Sequence, residues 1–376
     1  MASITKMKSG KWQYRVSYKD ENTGKFRTKS KGGFDRKTEC LAAARKVEEM
    51  KSNDANLAKQ DMTVHNYYNW WIETFKLPGL AESTQQRYKQ LLDVIDEYFP
   101  DELLIDVTRP EYQDFLNKYG QTRSKATVKQ TNTSFRGMAA EALDEGVIKH
   151  NFTRNSKVVA GIPPRDPNAK FLQIDDFEKL IKFSRSMMSF NNTSMWEVYF
   201  CTQTGCRFEE STALSWDNVD FNEETVTFSQ AFSIRERKIK STKNMSSYRK
   251  IHVSDQCMHR LKLLKQEQKE YFESIHYKNK SNFVFRNKKR QIPGNTACNT
   301  SVKKALKKAN VKKIINFHDV RHTHASYLFA KGHTLLYVSK RLGHANPTIT
   351  LNTYTHVMSQ TLQTEDNKLN SEFDSI

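Results

Sequence analysis

The sequence lacks the features of a secreted or membrane-spanning protein. Its five cysteines, at positions 40, 201, 206, 257 and 298, are scattered, and no Cys-x-x-Cys pair occurs. No stretch approaches the ~18 apolar residues that a membrane span needs, and residues 1–10 hold no apolar signal core. These absences argue against a disulfide framework, a cysteine zinc site and a membrane span. They predict a reduced protein of the cytoplasm.

Acidic residues are also in the minority. Lys and Arg number 61 against 42 Asp and Glu, which gives a net charge of +19 at pH 7. Such an excess predicts a polyanionic partner, either nucleic acid or an acidic membrane surface. The charge is uneven, because residues 1–60 carry a net +8 and residues 61–165 a net −1, and the remainder carries +12.

Three short motifs near the carboxyl end give the clearest chemical signal. They are His318-Asp-Val-Arg321, Leu-Gly-His344 and Thr-Tyr354-Thr-His, with the tyrosine ten residues after His344. A phenol has an ordinary pKa near ~10, so it attacks a phosphodiester only if its proton is removed as the bond forms. Guanidinium groups suit the charge that develops on the phosphate oxygens, and histidines can donate hydrogen bonds or relay the proton.

These motifs resemble the active-site signature of the tyrosine recombinases, the phage-integrase family. The stretch Thr-Gly-Cys-Arg207-Phe-Glu-Glu210 resembles the first conserved box of the same family. The resemblance implies a catalytic set with one supporting acid, Glu210, and the set is Arg207, Lys243, His318, Arg321, His344 and Tyr354. In that set the tyrosine forms a 3′-phosphotyrosyl link, the arginines hold the phosphate, and the histidines assist with hydrogen bonds and proton transfer.

The lysine of the set is identified through a predicted β-hairpin. In the family, a lysine on this hairpin donates a proton to the leaving 5′ oxygen. The matching span, 235–250, follows a predicted strand at 225–228 and holds seven bases and one acid. Lys243, in Thr-Lys-Asn before a Ser-x-Arg-x-Ile strand, matches best, and Lys240 and Lys238 are the alternatives.

Other interpretations stay open at this point. His318 and His322 stand four residues apart with Asp319 between them, which is similar to the His-Glu-x-x-His zinc motif without a third ligand at a familiar spacing. His322 and His324 can also be packing histidines. A type IB topoisomerase shares the recombinase chemistry, and a non-enzymatic DNA-binding regulator is the alternative from another class. The complete set favours an enzyme, and we expect neither metal nor other cofactor because the covalent link conserves the bond energy.

Residues 1–60 predict a small α+β domain, a three-stranded sheet followed by a helix. Aromatic and apolar residues alternate with polar ones from Trp12 to Tyr18, the period of a half-buried strand. The helix, predicted at 36–50, should turn Leu41, Ala44 and Val47 inward. The domain resembles the arm-type DNA-binding domain of integrases, whose sheet would present to a DNA groove the side chains of Arg15, Arg27, Lys29 and Lys31.

Residues 62–160 predict four helices. Thr63, Ser83, the Thr108-x-x-Glu111 capping box and Ser124 mark the expected starts. The resemblance implies an all-α, SAM-like core-binding domain. Its basic fourth helix is expected to place on DNA the side chains of Lys125, Lys129 and Arg136. Residues 161–170 are a proline-rich linker, which should space the domains without joining a helix or sheet.

Residues 171–376 are expected to form a mainly helical α+β catalytic domain with a small β-sheet, the tyrosine recombinase and type IB topoisomerase fold. Leu214 and Trp216 should belong to its core, and an amphipathic helix at 302–313 should direct Lys303 and Lys307 towards DNA. The resemblance implies double-stranded attachment sites of a phage or other mobile element as substrates. It also implies a tetramer on DNA, no membrane partner, accessory DNA-bending or excision factors as candidate partners, and a bacterial host cytoplasm.

Overall fold

The structure is a computed structural model, and it describes residues 2–19, 26–52, 59–164, 166, 171–234, 236–241, 248–351, 353–354, 369 and 373–374. The chain divides into two compact units, Met1–Pro164 and Arg165–Ile376. The division falls within the linker predicted at 161–170, while the finer domain boundaries stay predictions. Within the described residues, no helix has the length and apolar character needed to cross a membrane.

The first unit begins with an antiparallel sheet and one helix. The strands are Ser3–Lys6 (β1), Trp12–Lys19 (β2) and Phe26–Phe34 (β3), in the order β1-β2-β3, and the helix is Lys37–Ser52 (α1). Tyr14 and Val16 of β2 share a small core with α1. The predicted three-stranded sheet plus helix is therefore confirmed.

Helix α1 packs through a different stripe from the predicted one. Cys40, Ala44 and Val47 are buried, whereas Leu41 is exposed. Positions 40, 44 and 47 follow the spacing of one helical face, and each residue turns the helix by about 100°, which takes position 41 off that face. The prediction for Leu41 is wrong because the small side chains of Cys40 and Ala44 occupy the contact with the aromatic strand β2.

The sheet register places the four basic residues that were predicted to meet DNA on two faces of the sheet. Directly opposed residues of antiparallel strands share a face, and successive residues alternate. Three basic residues of β3 oppose residues of the helix-covered face of β2, in the pairs Tyr18–Arg27, Val16–Lys29 and Tyr14–Lys31. Arg15 instead pairs with Ser3 and Ser30 on the open polar face. The four residues therefore do not share one face of the sheet, which could not be predicted because register is not readable from either strand alone. Their roles in DNA binding stay predictions.

Four α-helices follow in the first unit. They are Val64–Trp71 (α2), Glu82–Tyr98 (α3), Arg109–Gly120 (α4) and Lys125–Asp144 (α5), and a π-helical turn, Ile72–Lys76, extends α2. Thr63, Thr108 and Ser124 each cap a helix with a side-chain oxygen that accepts a backbone N–H, as predicted. Ser83 does not, because α3 begins one residue earlier, at Glu82.

Aromatic side chains fill the core of these four helices. Among the fully buried ones are Tyr67, Tyr68, Trp71, Tyr112 and Phe135. Lys59, which precedes α2, contacts two residues of the bundle. Its ammonium lies 3.2 Å from the centre of the Trp70 ring and 2.8 Å from the Glu145 carboxylate. The all-α character predicted for this part of the chain is confirmed.

The second unit is mainly helical with two small sheets. Its helices are Ile174–Met187 (α6), Thr193–Thr204 (α7), Phe208–Thr212 (α8), Asp255–Ser274 (α9), Asn295–Lys308 (α10), Phe317–Ala330 (α11) and Leu335–Leu342 (α12). Its strands are Val219–Asp220 (β4), Thr225–Phe228 (β5), Gln230–Ser233 (β6), Lys238–Ser241 (β7) and Arg249–His252 (β8). The sheets are β4-β5-β8 and β6-β7.

Helix α7 runs through the core of this unit. Ten of its 12 residues are buried, and it packs against α6, α10 and α11. The helix is therefore buried nearly all round, and the elements that cover it fix its position. Its carboxyl end, at Thr204, therefore emerges from the core at a fixed position, directly before Arg207.

The remaining core predictions for this unit hold. Leu214 and Trp216 are buried. In α10, Val302, Ala305 and Leu306 are fully buried, and the lysines at 303, 304, 307 and 308 are exposed. The helix covers Asn295–Lys308 rather than 302–313. Its amphipathic pattern is confirmed, but the sequence placed it several residues too far along the chain.

Candidate active site

The carboxyl end of α12 brings three arginines together. Three successive backbone carbonyls accept hydrogen bonds from them, at 2.7 Å for Arg249 Nε to Arg341 O, 2.7 Å for Arg321 Nη2 to Leu342 O and 3.2 Å for Arg207 Nη2 to Gly343 O. The last carbonyls of a helix have no partner within it and lie at the negative end of its dipole, so they are suitable acceptors for guanidinium groups. Two of the three arginines belong to the predicted catalytic set.

Glu210 neutralises part of this arginine cluster. Its carboxylate accepts two bonds from Arg249, at 3.0 and 2.8 Å, and one from Arg207 Nη1 at 2.8 Å. Burial on its own raises the pKa of the Glu210 carboxyl, but the hydrogen bonds and charge of Arg249 outweigh it and hold the pKa at about 2. Glu210 therefore stays ionised and orients two arginines, whereas Glu209 is exposed.

Arg321 is held between two helices. It is 3% exposed, and its Nη1 donates to the carbonyl of Gly205 at 2.7 Å. Gly205 ends α7 with φ +64°, and a Cβ at this position would stand 2.6 Å from the His324 ring, so only glycine fits there. Burial and the charges of Arg207 and Arg249 lower the pKa of Arg321 to about 10. The guanidinium is therefore still charged at neutral pH and has a fixed orientation.

The two predicted catalytic histidines are neutral at pH 7. His344 Nδ1 lies 2.6 Å from the hydroxyl of the buried Thr350, and burial together with Arg321 lowers the His344 pKa to about 4. His318 lies at the surface, where partial loss of hydration and the charge of Arg321 also lower its pKa. Neutral imidazoles can donate an N–H to a phosphate oxygen without adding charge to the arginine cluster.

His324 is a packing histidine. It is buried, and its Nδ1 lies 2.9 Å from the carbonyl oxygen of Thr202. Burial and the charge of Arg341 lower the His324 pKa to about 3, so the ring is neutral. The packing role that the sequence left open for His324 is therefore the one observed.

Tyr354 is buried close to the same cluster. Its side chain is 2% exposed, its ring centre lies 5.7 Å from that of Phe329, and its hydroxyl oxygen is 2.8 Å from His322 Nδ1. Burial raises the pKa of the Tyr354 phenol above its usual value, and the charge of Arg321 opposes this only in part. The phenol is therefore protonated at neutral pH and needs a proton acceptor before it can act as a nucleophile.

The hairpin predicted to carry the general acid is present in part. Strands β6 and β7 pair antiparallel, with Ala231 opposite Lys240. Lys243, the preferred candidate, lies outside the described residues. Of the two alternatives, Lys240 forms an ion pair with Glu236, and Lys238 is exposed at the start of β7. The identity of the general acid stays a prediction.

Most residues predicted to contact DNA are exposed. This holds for Arg15, Arg27, Lys31, Lys125, Lys129, Arg136, Lys303 and Lys307. Lys29 differs, because it is half-buried and its ammonium lies 3.1 Å from the Asp61 carboxylate. In the first unit, Arg136 joins Arg109, Lys149 and Arg154 around an open cavity of about 700 Å³. A concave basic surface of this kind suits a polyanion.

In the part of the chain that the structure describes, no group of three or more His, Cys, Asp or Glu side chains is arranged to hold a metal ion. The two histidines that resembled a zinc motif contact each other edge to face, with ring centres 5.0 Å apart. One of them, His322, also contacts the Tyr354 hydroxyl. Within the described residues, the pair is therefore joined to the tyrosine through His322.

Comparison with known proteins decides the family. Residues 170–361 match the phage integrase family, and residues 3–50 match the arm DNA-binding domain. The chain belongs to the phage integrase family. This confirms the resemblance drawn from the motifs, and it makes the chain a tyrosine recombinase, an enzyme of site-specific DNA recombination. The non-enzymatic regulator is thereby set aside.

Relatives of this tyrosine recombinase span nearly its whole length. A tyrosine recombinase XerC-like protein of Caldanaerobacter subterraneus subsp. tengcongensis is 27% identical over 386 residues, which cover 94% of each chain. The ICEBs1 integrase of Bacillus subtilis is 22% identical and covers 94% of this chain and 95% of its own. The integrase of Staphylococcus phage L54a is 24% identical, covering 83% of this chain and 94% of its own.

Solved structures share the fold of the recombinase. The Tn1549 transposon integrase in complex with transposon right end DNA superposes with a TM-score of 0.66 at 18% identity, covering 82% of this chain and all of that one. A lambda integrase dimer bound to a COC′ core site gives a TM-score of 0.60 at 15% identity, with 93% of each chain covered. The predicted multidomain tyrosine recombinase fold is confirmed.

Two residues of this site were missed in the sequence analysis. Arg249 and Ile251 lie two residues apart on β8, so their side chains share one face of the strand, and both are buried. A charged residue at a core-facing position is rare without a partner, and that placement was the available signal. His322 was considered only as a zinc ligand or a packing residue, because nothing in the sequence indicates that the Tyr354 hydroxyl returns to it.

Proposed function

We propose that Tyr354 is the nucleophile with which this recombinase cleaves and rejoins DNA. Its phenolic oxygen attacks the scissile phosphate, a 3′-phosphotyrosyl link forms, and a 5′ hydroxyl leaves. The 5′ hydroxyl of a second duplex then attacks that link and releases the tyrosine. Run between two attachment sites, the reaction integrates a mobile element, and in reverse it excises the element. The observation that supports this most is the burial of Tyr354 within reach of the charge of Arg321.

The phosphate is held by Arg207 and Arg321 in this proposal. Each terminal nitrogen of a guanidinium carries two N–H groups. A backbone carbonyl takes one N–H from each terminal nitrogen of Arg321, and the second N–H of each is the group that would meet a phosphate oxygen. Arg207 has a side chain that is 37% exposed and would contact the phosphate from the solvent side. Before DNA arrives, Glu210 orients Arg207, and the two backbone carbonyls orient Arg321.

The remaining members of the set manage hydrogen bonds and protons. The neutral imidazoles of His318 and His344 would donate to non-bridging oxygens as negative charge accumulates on them in the transition state. Lys243 would protonate the departing 5′ oxygen. Since one phosphodiester is exchanged for another, the bond energy is conserved in the covalent link, and we propose that the reaction uses neither nucleotide nor metal cofactor.

The partners follow from the same reaction. The substrates are double-stranded attachment sites, and joining two duplexes takes four strand cleavages, for which we propose a tetramer on DNA. A lambda integrase tetramer bound to a Holliday junction has a TM-score of 0.58 to this chain at 17% identity, covering 92% of this chain and 96% of that one. The module at residues 1–60 would bind separate arm-type sites, which makes accessory DNA-bending or excision factors further partners. The place of action is the cytoplasm of a bacterial host.

A nicked suicide duplex tests the proposal. The duplex spans the crossover region of the attachment site, mapped from sequenced insertion junctions, and the nick lets the cleaved 5′ fragment diffuse away. The wild type should accumulate a covalent protein–DNA complex, and Tyr354→Phe should form none while keeping its affinity for DNA. Tyr327→Phe, a half-buried tyrosine that packs on Phe177, is the matched control and should behave as the wild type. Wild-type levels of adduct with Tyr354→Phe would place the nucleophile elsewhere.

A plasmid assay separates the recombinase from a type IB topoisomerase. Supercoiled plasmid that lacks the attachment site should stay supercoiled with this protein, and a plasmid carrying two copies of the site should recombine. Relaxation of both plasmids at the same rate, without recombinant product, would favour the topoisomerase.

A further inference from the structure

The hydroxyl of Tyr354 contacts a histidine that lies outside the predicted catalytic set. Its oxygen is 2.8 Å from Nδ1 of His322, and the two rings lie 5.9 Å apart at an angle of 55°. His322 follows Arg321 on α11 and is half-buried, while the tyrosine ring is enclosed by the small core that contains Phe329, Val338 and Leu342. The contact is therefore between the proposed nucleophilic atom and a group that can bind a proton.

The direction of this hydrogen bond follows from burial. The Tyr354 phenol is protonated at neutral pH, because burial raises its pKa. A buried O–H donor that lacks an acceptor is destabilising, so the hydroxyl should donate where an acceptor is within reach. Donation to His322 Nδ1 requires that this nitrogen carry no proton, which places the imidazole hydrogen on Nε2. In that tautomer the ring is ready to take the phenolic proton.

We propose that His322 is the immediate proton acceptor for Tyr354 in the cleavage step. This inference rests on the proposed function of the tyrosine. As the phenolic oxygen bonds to phosphorus, its proton passes to His322 Nδ1, the bond from phosphorus to the 5′ oxygen breaks, and that oxygen takes a proton from the general acid. In rejoining, a 5′ hydroxyl attacks the phosphotyrosyl link and gives its proton back to the deprotonated general acid. The bond from phosphorus to the phenolic oxygen breaks, and the imidazolium returns its proton to the departing phenolate.

The other histidines are less well placed for this role. His344 uses its Nδ1 for the Thr350 hydroxyl, and the ring of His318 packs edge to face with the ring of His322. Among the described residues, the titratable and charged groups against His322 include these two rings, the Tyr354 phenol and the charge of its neighbour Arg321. The charge of His322 reaches His344, whose pKa it lowers along with burial and the three arginines. A proton on His322 therefore adds positive charge close to the phosphate site while the phosphorus gains negative charge.

Single-turnover cleavage of the nicked crossover duplex tests this role in the full-length protein. His322→Gln keeps a hydrogen-bond acceptor for the phenol but cannot accept a proton, and cleavage should slow by about 10²–10⁴-fold with unchanged DNA affinity. The wild-type rate should fall as low pH protonates His322, and the glutamine variant should lack that acidic limb. Added imidazole should restore cleavage by His322→Ala, and the rate should rise in proportion to the fraction of the imidazole that is unprotonated.

Two controls make the result unambiguous. Phe329→Leu changes the packing of the Tyr354 ring without touching its hydroxyl, so it should keep the wild-type pH profile and gain nothing from imidazole. Tyr354→Phe is run on the same duplex. If that variant still forms the adduct, the proposed function fails. If it is inactive but His322→Gln cleaves at the wild-type rate with the wild-type pH profile, the role of His322 alone is refuted. A slow His322→Ala that imidazole does not rescue likewise refutes proton transfer and leaves a packing role.

Discussion

Arg249 and Glu210 form a two-point ion pair inside the catalytic unit. Their nitrogen and oxygen atoms lie 3.0 and 2.8 Å apart, and the two residues are 7% and 4% exposed. With so little water around them, each charge depends on the other for its solvation. Because Glu210 also binds Arg207, the pair connects the buried interior of the unit to an arginine that reaches solvent. The proposed phosphate clamp is therefore built on a buried charge network.

Removing the charge of Glu210 should cost both stability and activity. Glu210→Gln removes the negative charge that is paired with the Arg249 guanidinium, and breaking a buried pair in this way typically costs about 3–5 kcal/mol of unfolding free energy. Cleavage should also slow, because Arg207 loses an orienting contact. Denaturant unfolding and suicide-substrate kinetics measure the two effects. Glu209→Gln, the exposed neighbour, is the matched control, and equal behaviour of the two variants would contradict the network.

The stability that Glu210 contributes should decrease at acidic pH. The folded-state pKa of Glu210, about 2, lies below the usual carboxyl value of 4.5. The carboxylate therefore stabilises the fold fully above pH 4.5, and this contribution is lost as pH falls from there towards 2. The stability difference between wild type and Glu210→Gln should be constant from pH 5 to 8 and should shrink in acid.

The Glu197 carboxyl should make stability depend on pH in the opposite direction from Glu210. It is fully buried in α7, Cys298 Sγ lies 3.0 Å from its carboxyl, and burial raises the Glu197 pKa to about 8. Between pH 4.5 and 8 the unfolded chain releases this proton and the folded chain keeps it, so stability falls as pH rises, by up to about 1.4 kcal/mol per pH unit. Glu197→Gln removes this dependence and should be more stable than the wild type at pH 8.

Unfolding curves at pH 4.5 and pH 8 check the prediction for Glu197. The advantage of Glu197→Gln should be present at pH 8 and largely absent at pH 4.5, and Glu209→Gln should show no such trend. A variant that is less stable than the wild type at both values would mean that the carboxyl is needed for its hydrogen bonds with Cys298 and Thr212.

The sequence indicated candidate catalytic side chains, but it did not indicate the backbone groups that hold them. Tyr354, Arg321 and His344 are recognisable because the chemistry demands their side chains at ordered spacings. The carbonyls of Gly205 and Leu342 that hold Arg321 could not be predicted, since every residue has a carbonyl and only the tertiary fold selects these two.

The register of the sheet could not be predicted from the sequence either. The alternation in β2 predicted a strand correctly, but the face on which each basic residue of β3 lies depends on register, and a shift of one residue would reverse it. The error at Leu41 has the same origin. A helical pattern gives the spacing of the buried stripe, and the neighbouring strand decides which stripe is covered.

Lys243 should prove to be the general acid of the hairpin. Lys243→Ala should slow cleavage by about 10²–10⁴-fold, because the 5′ oxygen departs unprotonated, while DNA affinity changes only slightly. A substrate with sulfur at the bridging 5′ position departs without that proton and should restore the rate. Lys240→Ala is the control, since Lys240 is paired with Glu236 and should lose little activity.

The sulfur substrate also distinguishes the general acid from the proton acceptor for Tyr354. It should rescue Lys243→Ala and leave His322→Gln slow, because His322 is proposed to act on the tyrosine proton. Rescue of Lys240→Ala in place of Lys243→Ala would move the general acid to β7.

Deletion of residues 1–60 should separate two DNA-binding activities. The remaining chain loses the contacts of Lys59 but keeps all four helices of the bundle and every proposed catalytic residue, so it should still cleave the crossover duplex. It should fail to complete integration where that requires a distal arm-type site. The isolated module, with its net charge of +8, should bind duplex DNA with a strong salt dependence, because phosphate neutralisation releases counterions. Footprints of the module on the crossover core, or unchanged integration by the truncated protein, would contradict the arm-binding role.

Within the module, the two faces of the sheet should contribute differently. Arg15 lies on the open polar face beside Gln13 and Ser30, which can enter a groove, whereas α1 covers the other face and leaves Lys31 exposed at the edge strand β3. Arg15→Ala should therefore reduce discrimination between arm-site and random duplex, by about 1–3 kcal/mol if it contacts a base. Lys31→Ala should weaken binding to both duplexes equally and lower the salt slope by about 1. Lys29→Ala should change least, since Asp61 already neutralises Lys29. Titrations of the three variants at several salt concentrations measure these effects, and the reverse order of selectivity would place the helix-covered face on the DNA.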